Sequence, residues 1–301
     1  MNDSKGLVSV IITTRNRCKL LRRAIESVVN QTYKDIEIVV VDDFSTDNTR
    51  MVCEAYSVKY VYISQSESRG GNHARNVGIS SSTGIYIAFL DDDDYWMPTK
   101  IQRQVALMES SDCSFVYCGM CIEDVQENGN VTISAKRLNK RLRGNLSKRI
   151  FVTICTTTSC IMIKRELVDE IGTFDENLGF WQEYELIVRA AQKTDILFVD
   201  EHLVVYRNDR FDKCRLTNKY YEWLKAAEYV ECKHRQLIEK MTLAYTLLHK
   251  TLLYRERYNR AVKSGLNGIA LINLFKFSLL YTPYFVYDRL KEIFGCTYIG
   301  R

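Results

Sequence analysis

The chain has 301 residues, of which 46% are hydrophobic and 26% charged, and a formal net charge of +5. This is ordinary globular composition, enough for one large domain or a domain with an appendage, and the charge is too small over such a length to indicate nucleic acid. The first apolar stretch, Leu7 to Ile12, is too short for a signal peptide or membrane anchor, and ten cysteines scattered through apolar runs suit free thiols in a reducing, cytoplasmic setting.

From Val8 to about Val116, short β-branched runs alternate with helical periodicity, the pattern of βαβ units around a mainly parallel sheet. Predicted strands are Val8 to Thr13, Ile36 to Val41, Tyr60 to Ser64 and Ile85 to Leu90. Between them, Leu20, Leu21, Ala24, Ile25 and Val28 recur at helical spacing, Thr46 to Ser57 forms a helix behind a Ser45 cap, and Asn72 to Ser80 forms a third. In the strand-like run Cys113 to Ile122, Cys118 and Cys121 fall on opposite faces, which argues against zinc or redox chemistry and for core cysteine. Residues 117 to 150 read as polar, basic and exposed, with a hairpin turn at Glu127 to Asn130 and seven Lys or Arg between Lys136 and Arg149.

A second mixed region follows, with a strand at Ser159 to Lys164, a turn at Gly172 to Asp175, a helix at Glu183 to Gln192 and one or two strands within Ile196 to Val205. After about Asn218 long helical periodicity takes over, so the predicted division is a mixed α/β domain over 1–215 and a helical extension over 216–301. The mostly apolar run Gly268 to Tyr287 is interrupted by Asn273, Lys276, Ser278 and Pro283, which favours lying on a surface over spanning a membrane. Packing onto the first domain and a platform on an anionic membrane both remain open for the extension, with the platform preferred.

The strongest chemical signal is FLDDDDYW, residues 89 to 96, four carboxylates directly after a buried-looking strand. In an extended segment residues two apart share a face, so Asp91 and Asp93 can converge on one divalent cation, with oxygen ligands that suit Mn²⁺ or Mg²⁺ on a diphosphate. In VVVDDFSTDNT, residues 39 to 49, a second acid pair ends a strand, where a carboxylate can accept from a ribose or from a uracil-like N–H. The exit of the first strand places Thr13, Arg15, Asn16 and Arg17 on the same rim, and SRGGNHARNVGI, residues 68 to 79, sets Arg75 one turn into a helix behind two glycines, a place to meet phosphate.

In this order and spacing the four segments resemble a family 2 glycosyltransferase of the GT-A fold, over about residues 7 to 207. The resemblance implies an α/β, Rossmann-like mixed sheet flanked by helices. It also implies a single inverting displacement of a sugar from a nucleotide sugar, a UDP-sugar first, onto a glycan or lipid-linked acceptor in surface polysaccharide assembly. Carried over, Thr13 and Asp43 touch the base, Asp92 the ribose, and Asp91 and Asp93 the metal. The general base of that family is the acid of a Glu-Asp pair opening a helix, and here GFWQEYELIVRAA, residues 179 to 191, has Gln182-Glu183 in its place.

Helical spacing puts Glu183 on the face of Leu186, Ile187 and Ala190 and Glu185 on that of Arg189 and Gln192, so Glu183 is expected inward and is the base candidate. Phe180 and Trp181 would desolvate it and raise its pKa, or stack on an acceptor sugar. His202 is an added metal-ligand candidate, with a structural role the simpler account. The alternative to the enzyme is a non-catalytic protein that binds a nucleotide sugar. The expected location is cytoplasmic, peripheral on the inner face of the membrane, with no nucleic-acid partner.

Overall fold

In a computed structural model of the chain the described residues are 6–136, 139, 142–152, 156–209, 211 and 219–293, with side chains described up to 282 in the last helix. The chain divides into two compact units, residues 1–147 with 155–213, and residues 148–154 with 214–301.

The first unit is built on a mixed sheet. In chain order its elements are β1 (Val8–Thr14), α1 (Cys18–Val29), β2 (Ile36–Asp43), α2 (Thr49–Ala55), β3 (Lys59–Ile63), α3 (Gly71–Ser80), β4 (Tyr86–Asp91), β5 (Tyr95–Trp96), α4 (Lys100–Glu109), β6 (Phe115–Val125), β7 (Val131–Ala135), β8 (Met162–Lys164), α5 (Arg165–Ile171), α6 (Gln182–Ala190) and β9 (Ile196–Asp209). Strand order is β3-β2-β1-β4-β8-β6-β9-β5, with β7 paired to β6. The β3-β2-β1-β4 half is parallel throughout. β8 then pairs antiparallel to both β4 and β6.

The parallel half reads as continuous apolar runs because helices cover both faces. Val8, Val10, Ile11 and Ile12 of β1 are at most 1% exposed, and Leu21, Ala24, Ile25 and Val28 of α1 are buried, as the helical spacing expects. The approach of α3 is set by Gly78, where an added Cβ would lie 2.4 Å from Ile11 Cγ2. Gly129, at φ +80°, turns the β6–β7 hairpin at the expected place.

Several local expectations are corrected. α2 begins at Thr49, and Asp47 accepts from its N–H at 3.1 Å, while Ser45 Oγ accepts from Asn16 N instead of capping. The run from Ser159 splits into a 3₁₀ turn at Thr158–Cys160 and the short β8. Residues 117 to 125 are not an exposed segment but part of β6, whose first six residues are buried; β7 alone is exposed at every position. Part of the basic stretch, residues 137, 138, 140 and 141, lies outside the described residues.

The second unit has α7 (Tyr220–Lys233), α8 (Arg235–Glu239), α9 (Leu243–Lys263) and α10 (Asn267–Ile293). Its core joins Tyr220, Ala261 and Ala270 to Leu224, Tyr258, Leu266 and Ile269. His249 of α9 ties in the 148–154 segment, with Nδ1 2.7 Å from the Phe151 carbonyl oxygen and Nε2 3.0 Å from Glu231.

Candidate active site

The carboxyl ends of three parallel strands form one rim, where ligands of open α/β sheets sit. The register sets Thr13 beside Val41 and Asp91, and Thr14 beside Asp42. The loops leaving β1 and β2 are laced together: Asn16 N–H donates to Ser45 Oγ at 2.8 Å, Thr46 N–H donates to Asn16 Oδ1 at 2.7 Å, and the Arg15 guanidinium lies 3.7 Å above the Phe44 ring. Asn16 and Phe44 both hold φ near +53°, and Trp181 holds +58°. Left-handed backbone at non-glycine residues costs about 1–3 kcal/mol each and persists where surroundings enforce it, commonly at functional loops.

The acid run alternates. Asp92 and Asp94 are 5% and 1% exposed, whereas Asp91 and Asp93 are half-buried. Thr14 Oγ1 donates to Asp92 Oδ2 at 2.7 Å, and Arg17 Nη1 lies 3.2 Å from both Asp92 Oδ1 and Asp93 Oδ2. Burial, then the neighbouring Asp93 charge, pushes Asp92 up to about 7 against the pull of Arg17 and Thr14. Asp94 is raised well above the usual carboxylate range, again by burial first, although Ser159 Oγ donates to it at 2.6 Å and Arg207 N–H at 2.9 Å. The backbone of the run is gripped by Arg23, which donates to the Asp93 carbonyl at 2.7 Å while its other amino group pairs with the buried Glu123 at 3.0 Å.

Arg75 joins this run to the start of α6. It is 8% exposed and donates to Asp91 Oδ1 at 2.7 Å and to Gln182 Oε1 at 2.8 Å. One guanidinium therefore stands between an acid of the run and the residue preceding Glu183. The inward face of α6 is the reverse of the sequence expectation. Glu185 is fully buried and bonded at both oxygens by Arg189, which also donates to the carbonyls of Ile171, Gly172 and Thr173; Glu183 is half-buried in the first turn. Glu185 thus holds the helix to the preceding turn, and Glu183 lies toward the surface.

The other candidates are placed as follows. Asp42 is anchored, accepting from Ser45 N–H at 2.9 Å and from the Tyr60 hydroxyl at 2.7 Å, while Asp43 Oδ1 is buried without a hydrogen-bond partner. Thr13 is half-buried, on the strand face opposite Thr14. Asp92, carried over to the ribose, is a buried side chain with both oxygens engaged from within the fold. Phe180 is buried, and Trp181 is half-buried and edge-on to Tyr184 at 5.1 Å. His202 Nε2 is 2.9 Å from the Lys136 carbonyl oxygen, beside an irregularity in the β6–β9 pairing, which is a structural position.

Sequence reasoning missed Thr14, Arg23, Asp94, Glu123, Ser159 and Arg207, which build and hold the rim. The available signal was polar residues inside otherwise apolar strands, Glu123 in β6 and Thr14 closing β1.

Alternate exposure gives a donor set that fits a divalent cation. Asp91 and Asp93 are half-buried carboxylates, hard oxygen donors of the kind such an ion takes, and each meets an arginine that balances charge. Among the described residues no three potential ligands converge on one point, so an ion there would take further ligands from a bound diphosphate and water.

A half-parallel sheet ending in paired acids, faced by arginines, defines an α/β domain with a charged rim at the carboxyl ends of its strands. The glycosyl transferase family 2 model matches residues 9–172, and the chain belongs to that family and is a glycosyltransferase of the GT-A fold. It is similar to an uncharacterized glycosyltransferase of Rickettsia typhi, RT0329, at 28% identity over 99% of this chain and 90% of that protein. It is also similar to the Escherichia coli UDP-Glc:alpha-D-GlcNAc-diphosphoundecaprenol beta-1,3-glucosyltransferase WfaP, at 40% identity over 39% of this chain and 47% of that one. Among solved structures, S. aureus TarS 1-349 in complex with UDP-GlcNAc superposes with TM-score 0.57 at 16% identity, covering 94% of this chain and 92% of the other. The Pyrobaculum calidifontis mannosyltransferase PcManGT, in complex with GDP-Man and Mn²⁺, gives TM-score 0.54 at 18% identity, covering 95% and 84%.

Proposed function

We propose that the protein is an inverting transferase that moves a hexosyl or N-acetylhexosaminyl group from a UDP-sugar to a glycan or lipid-linked acceptor in surface polysaccharide assembly. The observation that carries the donor is the rim itself, where half-exposed Asp91 and Asp93 stand beside Arg17 and Arg75 and a buried, unpartnered Asp43 oxygen waits for a donor group. That oxygen suits the N–H of a uracil, and Thr13 lies on the same strand end. Arg17 and Arg75 meet the diphosphate, and Asp92 orients Arg17 instead of touching the ribose. WfaP, 40% identical over 39% of this chain, uses a UDP-sugar, which supports UDP as the nucleotide; the diphosphoundecaprenol in WfaP's acceptor supports a lipid-linked acceptor.

Asp91 and Asp93 would hold Mn²⁺ or Mg²⁺, which stabilises the charge that builds on the departing diphosphate. Glu183 takes the proton of the acceptor hydroxyl as it attacks the anomeric carbon, and its half-buried place in the first turn of α6 leaves it within an acceptor's reach. Trp181, with Tyr184 edge-on to it at 5.1 Å, offers the acceptor a ring face, and Phe180 beside it in the chain contributes apolar surface. A lipid-linked acceptor places the enzyme peripherally at the cytoplasmic face of an anionic membrane.

Release of nucleoside diphosphate from UDP-, GDP- and dTDP-sugars, with Mn²⁺, Mg²⁺ or EDTA, tests this reading on wild type and Glu183→Gln. Metal-dependent turnover of a UDP-sugar, lost in the variant while donor still binds, is expected. Turnover that survives EDTA or the substitution removes the assigned roles.

A further inference from the structure

α10 has apolar side chains on both sides. Its packed side carries Ala270 and Asn273, 4% and 6% exposed, with the Asn273 amide donating to the Ile269 carbonyl at 2.8 Å. At 3.6 residues per turn, Leu271, Ile272, Phe275 and Leu279 fall together on the opposite side, and they are 67%, 57%, 66% and 58% exposed. A contiguous apolar face of this kind marks a surface that is covered by something other than water. From Leu266 to Tyr287 the sole charged residue is Lys276.

Three observations choose the cover. Among the described residues no helix is long and apolar enough to cross a membrane, so α10 is not a span. The helix packed against it, α9, carries Lys250, Arg255, Arg257, Arg260 and Lys263 against one acid, Glu256. The seam between the two helices carries a basic and aromatic cluster, with Lys276 Nζ 5.5 Å and the Arg257 guanidinium 5.4 Å from the Tyr254 ring. A second copy laid on the same face would bring two such basic helix pairs together, and like charges oppose that; an anionic bilayer complements both the apolar face and the charge.

We infer that α10 lies in the surface of an anionic bilayer, with Leu271, Ile272, Phe275 and Leu279 entering the boundary of the acyl chains and Lys276, Arg257 beside it and the exposed Lys263 at headgroup level. This deepens the lipid-linked acceptor proposed above, since it would hold the enzyme where such an acceptor resides.

The test is sedimentation of the full chain with vesicles of phosphatidylcholine alone or mixed with phosphatidylglycerol. The wild type is expected to pellet with the mixed vesicles, roughly tenfold more weakly with the neutral ones, and to be released by salt. The combined variant Leu271→Ser, Phe275→Ser, Leu279→Ser should lose partition by roughly tenfold or more. A second variant, Lys263→Glu with Lys276→Glu, should lose the preference for anionic vesicles and leaves the apolar face untouched. Donor turnover with a soluble acceptor is read separately and should be unchanged in both variants. Lost turnover with intact vesicle binding would therefore strike the transferase reading alone. Equal pelleting of all three proteins, absence of wild-type pelleting, or a dimer in solution that the triple variant dissolves would overturn the inference, the last naming a second copy as the cover.

Discussion

The acid run after β4 and the first turn of α6 each hold acids two residues apart, and they resolve in opposite ways. In the run, expected to be extended, Asp91 ends β4 and Asp92 and Asp93 form a turn closed by the Asp94 N–H on the Asp91 carbonyl at 3.1 Å, and there Asp91 and Asp93 stay half-open while Asp92 and Asp94 are buried. In α6 two positions apart means roughly opposite faces of a helix, and the buried member is Glu185. Arginines reach the half-open Asp91 and Asp93 as well, but Glu185 is fully enclosed, with Arg189 one turn on donating to it and to three carbonyls of the preceding turn. The members left half-open, Asp91, Asp93 and Glu183, are the ones to which the proposed function gives chemistry.

The sharpest way to break this contrast is to neutralise the two glutamates separately. Glu183→Gln should lower turnover by about 10²–10⁴-fold with stability and donor binding nearly unchanged, as loss of a general base does. Glu185→Gln should do the reverse in kind: it leaves Arg189 with a neutral partner in a fully buried site, so stability should fall by about 3 kcal/mol, read by urea unfolding, with turnover per folded molecule kept. Equal losses of turnover from both would mean that α6 is a single catalytic unit and the contrast false.

A smaller effect separates the members of the run. Asp94→Asn keeps the shape of a side chain held by Ser159 and Arg207, and should cost about 1–2 kcal/mol of stability with metal dependence intact. Asp93→Asn should leave stability nearly unchanged and raise the Mn²⁺ concentration needed for turnover. Titrating Mn²⁺ against rate in both variants decides whether half-burial marks the metal-facing acids.

How much of this was legible follows from the same geometry. The strands and α1 could be read because a parallel sheet covered on both faces writes apolar runs, as in β1 and β2, and because an acid following such a run marks a rim. The parity of Thr13 and Thr14 could not be read, since both faces of β1 are covered and nothing in the sequence says which side meets Asp92. The inward side of α6 was misread for a similar reason: Tyr184 to Val188 and Ala190 are all buried, so the helix has no polar stripe to fix its phase. The grip of Arg23, Glu123 and Arg207 joins residues up to 100 apart in sequence and leaves no local trace. In α10 the apolar residues on both sides hid which side packs.

Lys100 sharpens the comparison from the other sign of charge. It is fully buried in the first turn of α4, its Nζ has no hydrogen-bond partner, and it lies 3.6 Å from the centre of the Trp96 ring, which is all that compensates it directly. Burial first, only partly opposed by Cys118 and Cys160, brings it down to about 8. A lysine with a lower pKa in the folded state binds fewer protons there than in the unfolded chain between pH 8 and the ordinary value of 10.5, so stability rises with pH across that window. If buried charges without donors weigh on this fold, Lys100→Met should be the more stable protein at pH 7, by about 1–3 kcal/mol after the lost ring contact is allowed for. The gap should close as pH approaches 10, where the wild-type lysine is neutral in the fold. Unfolding by urea at pH 7 and pH 10 measures both; a gap that is absent at pH 7 or that widens toward pH 10 would show that Trp96 alone suffices to hold the charge, and that donors are not what divides buried from open charges here.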